Sequence, residues 1–408
     1  MIKKFIISAC LLISFVSFAQ QGTSSPYSFY GLGDVKFNGT LENRSMAGVS
    51  VEQDSIHINV NNPASYASLR QTTFTVGGTF ATSKLKNETE TSKAQRSTFD
   101  YLLVGIPMGK LGVGFGLIPT TSVGYKIKND NSAGPEGSRS SQFEGSGGLN
   151  KVFFGAGYEI KKNWTIGADV QYNFGRIETN SIEAITGIPV STVETNVTTL
   201  SGINFNLGTM YQRKIDTKLN LYTSLNYTFG TTLKSENTRL IRTDLEVDDQ
   251  VTDNRDLELP SRFTVGAGLG EARKWLIGTS VAFQGKGEYE NYYNTSDDVR
   301  YEKSSKYAIG GYYIPNYTSF SSYFKRITYR AGFKYEKIGL VVNSESIKDV
   351  GVSLGAGFPV TGQFSNVNFG IEFGKKGTVT ANLIQENYIN FSLSFSFNDK
   401  WFVKSKFN

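Results

Sequence analysis

The residues able to do chemistry are few. His57 is the only histidine and Cys10 the only cysteine among 408 residues. One histidine excludes multi-histidine metal centres and leaves a single imidazole base for a Ser–His hydrolase. No nucleophile elbow lies near it, and a lipase of the outer wall would need its base to reach a lipid-facing serine. A solvated or packed histidine is the plainer reading. Gly266-Ala267-Gly268-Leu269-Gly270 has the composition of a dinucleotide loop. It sits inside an alternating stretch with no helix after it, so it reads as a row of glycines on one strand face. Asp244, Glu246, Asp248, Asp249, Asp253 and Asp256 could gather divalent cations, but the spacing is not that of a calcium loop. A solvated charged loop fits better. No enzymatic activity and no cofactor is expected.

What must position these residues is a set of long strands. Fourteen strand-length stretches can be cut from the chain, and most alternate apolar with polar residues. In Trp164-Thr165-Ile166-Gly167-Ala168-Asp169-Val170-Gln171-Tyr172-Asn173-Phe174, aromatic and aliphatic residues take one face and Asp, Gln, Asn and Gly the other. Period two over such a length, about twice a usual globular strand, fits a tilted strand crossing a bilayer. In hydrocarbon an unpaired N–H or C=O finds no water, so the sheet must close on itself. The expected fold is therefore all-β: a closed antiparallel transmembrane barrel of about 14 strands. Strands are expected at 72–82, 97–106, 111–126, 150–160, 164–178, 197–213, 218–233, 257–270, 275–289, 304–314, 326–339, 348–359, 366–376 and 386–397. Short connections at 107–110, 161–163, 214–217 and 271–274 alternate with longer ones such as 127–149 and 234–256, as for periplasmic turns and outside loops. Both termini then lie in the periplasm. Trp164, Trp275 and Trp401 each follow a Lys or Asn at a short turn or terminus, the place of an aromatic girdle.

The ends agree with export. Lys3 and Lys4 precede an apolar run from Phe5 to Phe18, and Ser17-Phe18-Ala19 offers small residues for cleavage, so residues 1–19 read as a secretory signal. Ile7-Ser8-Ala9-Cys10 resembles a lipoprotein box, although apolar residues continue past Cys10. A mature chain without cysteine has no disulfide and no thiolate ligand. Net charge is +6, two charges of it from Lys3 and Lys4, and the rest is dispersed, which gives nucleic-acid binding no support. Residues 20–71 are rich in Gly, Ser and Asn and lack long alternation. They are too irregular for the wall and too long for an idle tail, so they are expected to fold inside the barrel as a plug. The barrel takes 72–397, and 398–408 form a periplasmic tail.

Asn62-Pro63-Ala64, then Leu69, then Thr73-Phe74-Thr75-Val76-Gly77 resembles the FadL-type long-chain fatty acid transporters. Gly31-Leu32-Gly33 and Asn43-Arg44-Ser45-Met46-Ala47-Gly48 are similar to the N-terminal hatch of that family, whose strand count is also fourteen. The specific likeness covers about fifty residues. Leu259-Pro260 before Arg262-Phe263-Thr264-Val265-Gly266 and the ending Asn398-Asp399-Lys400-Trp401-Phe402 have the look of a subgroup. The resemblance implies a barrel closed by its hatch, passive capture of a hydrophobic compound, and lateral exit to the membrane through a break in the third strand. Pro119 stands in that strand, and proline lacks the N–H the ladder requires. Either the wall is interrupted there or the strand ends near Leu117, leaving Pro119 in a loop.

In 97–106 both faces carry apolar residues: Tyr101 and Leu103 on one, Leu102, Val104 and Ile106 on the other. Ile118 and Phe153 fall on the expected lumenal face of neighbouring strands. With Leu102 and Val104 they would line a ligand site beside the break, or pack against the plug. The expected partners are membrane lipids and a hydrophobic small molecule. The rival is a structural barrel in an outer-membrane assembly or secretion complex, whose outward Phe391, Phe395 and Phe397 would meet a partner barrel.

Overall fold

The computed structural model describes residues 22–134, 137–185, 187, 191–243, 247–250, 254–287, 298–360 and 366–401. The expected signal at 1–19, the end of the tail, and Asp244, Glu246 and Asp253 of the acidic loop lie outside them.

Every wall strand pairs antiparallel with the next, and the ring closes. In chain order the strands are β1 (Asp34–Val35), β2 (Thr72–Lys86), β3 (Thr91–Met108), β4 (Leu111–Pro119), β5 (Thr121–Gly134), β6 (Gly137–Lys161), β7 (Trp164–Ile185), β8 (Thr192–Lys214), β9 (Asn220–Thr228) and β10 (Thr231–Arg242). There follow β11 (Val247–Gln250), β12 (Leu257–Leu259), β13 (Arg262–Glu271), β14 (Trp275–Gln284), β15 (Val299–Tyr301), β16 (Ser304–Tyr313), β17 (Thr328–Val342), β18 (Glu345–Pro359), β19 (Asn366–Lys376) and β20 (Gln385–Asp399). β20 returns to β2 in a continuous ladder from Thr72 opposite Asp399 to Lys86 opposite Gln385. Counting β4 with β5, β9 with β10 and β12 with β13 as single interrupted strands, the wall is a closed barrel of 14 strands. Closure removes the free first and last edges of the sheet, as a hydrocarbon environment demands.

The burial pattern is inverted relative to a water-soluble sheet. Along β7, Trp164, Ile166, Val170 and Tyr172 are exposed while Thr165, Asp169, Gln171 and Asn173 are buried. Asp169 accepts hydrogen bonds from Gln171 Nε2 at 2.6 Å and Asn206 Nδ2 at 2.9 Å, and Asn173 donates to Asn204 at 2.8 Å. Polar groups inside the ring thus find one another, and the outer face is left to lipid.

The segment 22–71 contacts strands around the ring. Its residues touch opposite walls: Tyr66 is fully buried against β4, Arg44 bonds to Asp100 of β3 and Ser392 of β20, and Asn62 bonds to β8 and β9. Glycines on the inner face make room for the segment. A Cβ on Gly112 would stand 1.8 Å from Tyr66 O, and one on Gly310 2.4 Å from Met46 O. Gly266, Gly268 and Gly270 are buried on the inner face of β13, the first two against Val51.

Two expectations about connections are corrected. Residues 127–149 are not an outside loop: β5 runs to Gly134 and β6 begins at Gly137, paired from Val123 opposite Gly147 outward. A ladder supplies its own hydrogen bonds, so polar residues such as Lys126 and Glu144, paired at 2.5 Å, extend the wall into water without needing an apolar face. The strict alternation of short and long connections also fails. Asn343 and Ser344 alone join β17 to β18, both at positive φ, on the rim expected to carry long loops. On the opposite rim residues 314–327 form a long, structured connection.

Candidate functional site: a wall gap and the chamber behind it

The third wall strand is interrupted at Thr120. β4 pairs with β3 from Met108 opposite Leu111 to Leu102 opposite Leu117, and then ends at Pro119, opposite Asn150 of β6. β5 keeps β6 as its neighbour but leaves β3. The half of β3 from Thr91 to Phe99 pairs only with β2. Proline explains the start of the departure, since its nitrogen offers no hydrogen to β3. The glycines opposite explain its shape. Gly147 and Gly148 have φ of 108° and 143°, and added Cβ atoms would lie 2.0 Å from Arg176 O and 2.4 Å from Thr121 O. Thr120 then re-anchors the strand, its amide and hydroxyl both donating to Leu149 O, at 2.8 and 2.9 Å.

The N-terminal segment lies along the β5 side of the gap. β1 pairs with β5 through Asp34 opposite Ser122 and Val35 opposite Thr121, and Lys36 N donates to Thr120 O at 2.9 Å. Toward the other edge, Arg96 of β3 donates to Thr23 Oγ1 at 2.5 Å and lies 4.0 Å from Asp34. Asp34 also pairs with Lys376 of β19, across the lumen. Burial alone would raise the Asp34 carboxyl, but Lys376 and Arg96 beside it hold it below the usual carboxylate range. Val35, 69 % exposed, is the most open apolar residue of this strand.

Around this crossing the segment packs against both sides of the barrel. Phe29 and Leu32 join Val123, Tyr125, Leu149, Ile177 and Leu200 in one apolar cluster. Tyr27 and Tyr30 join Leu340, Val342, Ile347 and Leu383 in another, with Tyr27 OH donating to Ile384 O at 2.6 Å. A second part of the segment, around Asn62, contacts the wall elsewhere. There Asn62 Oδ1 accepts from Ala64 N at 3.0 Å, while its amide donates to Thr209 O at 3.2 Å and Leu225 O at 2.9 Å. Pro63 and Ala64 press on the faces of Gly157 and Gly167. The turn Asn62-Pro63-Ala64 is therefore a seat of the plug on the wall.

The residues expected beside the break are divided by the structure. Ile118 and Phe153 do face inward and are buried, with Tyr101 and Leu103, against Ile58, Val60 and Tyr66 of the plug. Leu102 does not: it is 37 % exposed on the outer face, and Val104 shares its parity. The inward set is Tyr101 and Leu103. A bulge decides this, for Gly77 pairs with Tyr101 and Gly78 with Phe99, so Asp100 is the extra residue and both it and Tyr101 turn inward. Asp100 accepts from Arg44 at 3.0 Å, and Tyr101 OH accepts from Leu41 N at 3.0 Å. Asp100 was not singled out from sequence, and Tyr101 only as a member of one of two apolar faces; the apolar faces on both sides of β3 hid the parity, and only the Asp-Tyr pair hinted at a bulge.

Residues from both parts of the segment line a chamber of about 360 Å³. Its lining is mixed: apolar residues such as Leu32, Phe37 and Leu259 stand beside amides such as Asn173 and Asn204, cations such as Lys151 and Arg262, and carboxylates such as Glu302 and Glu336. Asp34, Val35 and Lys36 form part of its lining, so it abuts the gap. Burial pulls the Lys36 ammonium down to about 8, against the attraction of Asp100. His57 lies away from the chamber. Its Nδ1 meets Asp54 at 2.6 Å and its Nε2 stands 3.9 Å from Glu42.

A family model described as BamG matches residues 1–408, the whole chain. The chain belongs to the BamG family. No curated protein matches it. Among solved structures, this BamG protein is similar to a Pseudomonas aeruginosa FadL homologue, with a TM-score of 0.58 at 12 % identity, over 90 % of this chain and 100 % of that one. It is similar to the Pseudomonas putida toluene transporter TodX, with a TM-score of 0.55 at 14 % identity, over 91 % and 100 %. It is also similar to the CymD monoaromatic hydrocarbon channel, with a TM-score of 0.52 at 14 % identity, over 91 % and 99 %. At such identities the likeness is one of fold: a FadL-type outer-membrane barrel.

Proposed function

We propose that this BamG-family barrel is a passive outer-membrane conduit for amphipathic hydrophobic compounds, with lateral exit at the β3–β5 gap. The observation that carries the reading is that β5 there pairs with β1 of the N-terminal segment and not with β3, whose half from Thr91 to Phe99 pairs only with β2. β1 joins β5 through only two paired residues, so it can part from β5 without breaking the ladders that close the barrel, whereas a wall strand cannot. The chamber behind it offers positive charge to an anionic head while the tail enters lipid. The Pro119 interruption with Ile118 and Phe153 beneath it would be the gate, and the short-turn rim would face the periplasm, together with both termini. The relatives titled as toluene transporter and hydrocarbon channel share the architecture. The test is uptake of radiolabelled fatty acids and toluene into proteoliposomes. Uptake above protein-free vesicles is expected, and uptake equal to them would remove this function.

A second reading, a structural subunit of an outer-membrane assembly, is favoured by two observations. The apolar patches inside the barrel are already filled by the plug's own Phe29, Leu32, Ile58 and Tyr66. On the rim, connection 314–327 holds out Tyr317, Phe320, Tyr323 and Phe324, with Phe320 104 % exposed. Four exposed aromatic residues on one structured connection offer an apolar surface for a partner to cover. Purification in a mild detergent separates the readings: a stoichiometric large partner favours the subunit, and a monomer carrying lipid favours the conduit.

A further inference from the structure

The cations lining the chamber fall into two groups. Lys334 is neutralised by Asp349 at 2.9 Å and Glu372 at 2.7 Å, and Lys376 by Asp34. Lys151, Arg262 and Lys36 have no carboxylate within ion-pair distance among the described residues, and the nearest to Lys306 is Glu336, at 3.9 Å. Lys151 is more than nine-tenths buried. Arg262, from β13, stands within electrostatic reach of both Lys151 of β6 and Lys306 of β16. Lys151 and Arg262, from separate strands, therefore bring two positive charges without an ion pair among the described residues to one confined volume; Lys306 stands there with its Glu336, and Asp34, Glu302 and Asp349 line the same chamber. Leaving like charges together and unneutralised is costly in a partly desolvated space, and a chain that holds them there gains when an anion completes the set.

We propose that the chamber binds a phosphorylated headgroup, with Arg262 as the bidentate fork and Lys151 and Lys306 as flanking charges. A phosphate monoester or diester fits better than a lone carboxylate. It presents several acceptor oxygens in a tetrahedron that a guanidinium can grip in two places while the ammonium groups take the rest. Asn173, Asn204 and Asn226 supply donors and acceptors for hydroxyls next to the phosphate, as on glycerol or a sugar. Asp169, the carboxylate facing Lys151, is engaged by Gln171 and Asn206 and does not close the site. The inference deepens the conduit reading by naming the head of the passenger, and it rests on that reading only for the route by which the head would leave.

The test is binding, measured by phosphorus NMR on the full-length protein in phosphate-free maltoside micelles. The probes are inorganic phosphate, glycerol 3-phosphate and dihexanoyl phosphatidic acid. Saturable binding is expected for at least one, weakened tenfold or more in Lys151→Gln and in Arg262→Gln, and unchanged in Lys325→Gln on the rim. Binding of the free phosphates as tightly as the lipid assigns a soluble phosphorylated solute; binding of the lipid alone assigns a membrane headgroup. If Arg262→Gln does not fold, by heat-modifiable migration, Arg262→Lys keeps the charge without the fork and is expected to weaken binding by a smaller factor. No saturable binding of any probe, or equal binding by wild type and the Lys151→Gln/Arg262→Gln variant, overturns the proposal. Intact binding in a protein that fails to transport would instead overturn the conduit and leave the site standing.

Discussion

Asn62 caps its own turn through Oδ1 and joins plug to wall through its amide, using three hydrogen bonds in all. Asn62→Ala is expected to destabilise the plug by about 2 kcal/mol, because buried carbonyls of Thr209 and Leu225 lose a donor. The measurement is the rate of limited proteolysis within 22–71 in detergent, which should rise at least tenfold while the barrel stays intact. His57 gives the plug a pH dependence. Burial disfavours its charge, but Asp54 and Glu42 prevail and raise its pKa. Its contribution is therefore complete below the free histidine value of about 6.5 and is lost as pH rises through the raised value. Glu52 acts in the same direction. Burial, with Asp54 nearby, raises it to about 7, so the unfolded carboxyl ionises first, and stability declines between about 4.3 and 7. Protection of the plug from hydrogen exchange should fall from pH 5 to pH 9, and His57→Gln should flatten the upper part of that fall; a constant profile in wild type would contradict the assignment. The sequence showed His57 as a lone histidine in the plug but not its partners. Asp54 is three residues away and visible, whereas Glu42 arrives only through the folding of the segment.

The third strand is where sequence and structure meet most closely at the scale of elements. Pro119 marked the position legibly, because a missing N–H is a property of one residue. The companion glycines were not legible, since Ser146-Gly147-Gly148 has the composition of a loop and only the register reveals a bend in β6. Nor was β1, for two residues carry no periodicity. Gly148→Ala places a Cβ 2.4 Å from Thr121 O at a φ of 143°. It is expected to cost about 2–3 kcal/mol and to reduce the folded, heat-modifiable fraction. Asp34→Asn removes the charge that meets Lys376 and Arg96. It is expected to loosen β1 without affecting the barrel, read as severalfold faster maleimide labelling of a cysteine at Ser122. Equal labelling rates would show that the ion pairs do not hold the gap shut.

For the whole molecule, closure, strand count and the inverted burial of β7 follow from alternation and from the absence of water in hydrocarbon, so they were readable before any coordinates. What lies inside was readable only as a volume to be filled. Sequence shows that 20–71 is irregular, but not that two parts of it line one chamber, because that arrangement depends on residues contributed by strands around the whole ring. The central claim is that this segment adds its strand β1 to β5 at the gap, and its most direct test is a cross-link. Val35 and Thr121 are cross-strand partners, and such pairs have Cα atoms about 4.5–5.5 Å apart, within disulfide reach. With Cys10, the sole native cysteine, replaced by serine, Val35→Cys/Thr121→Cys is expected to form an intramolecular disulfide in membranes without added catalyst. Two free thiols that both label with maleimide, in a barrel that is folded by gel migration, would contradict the account.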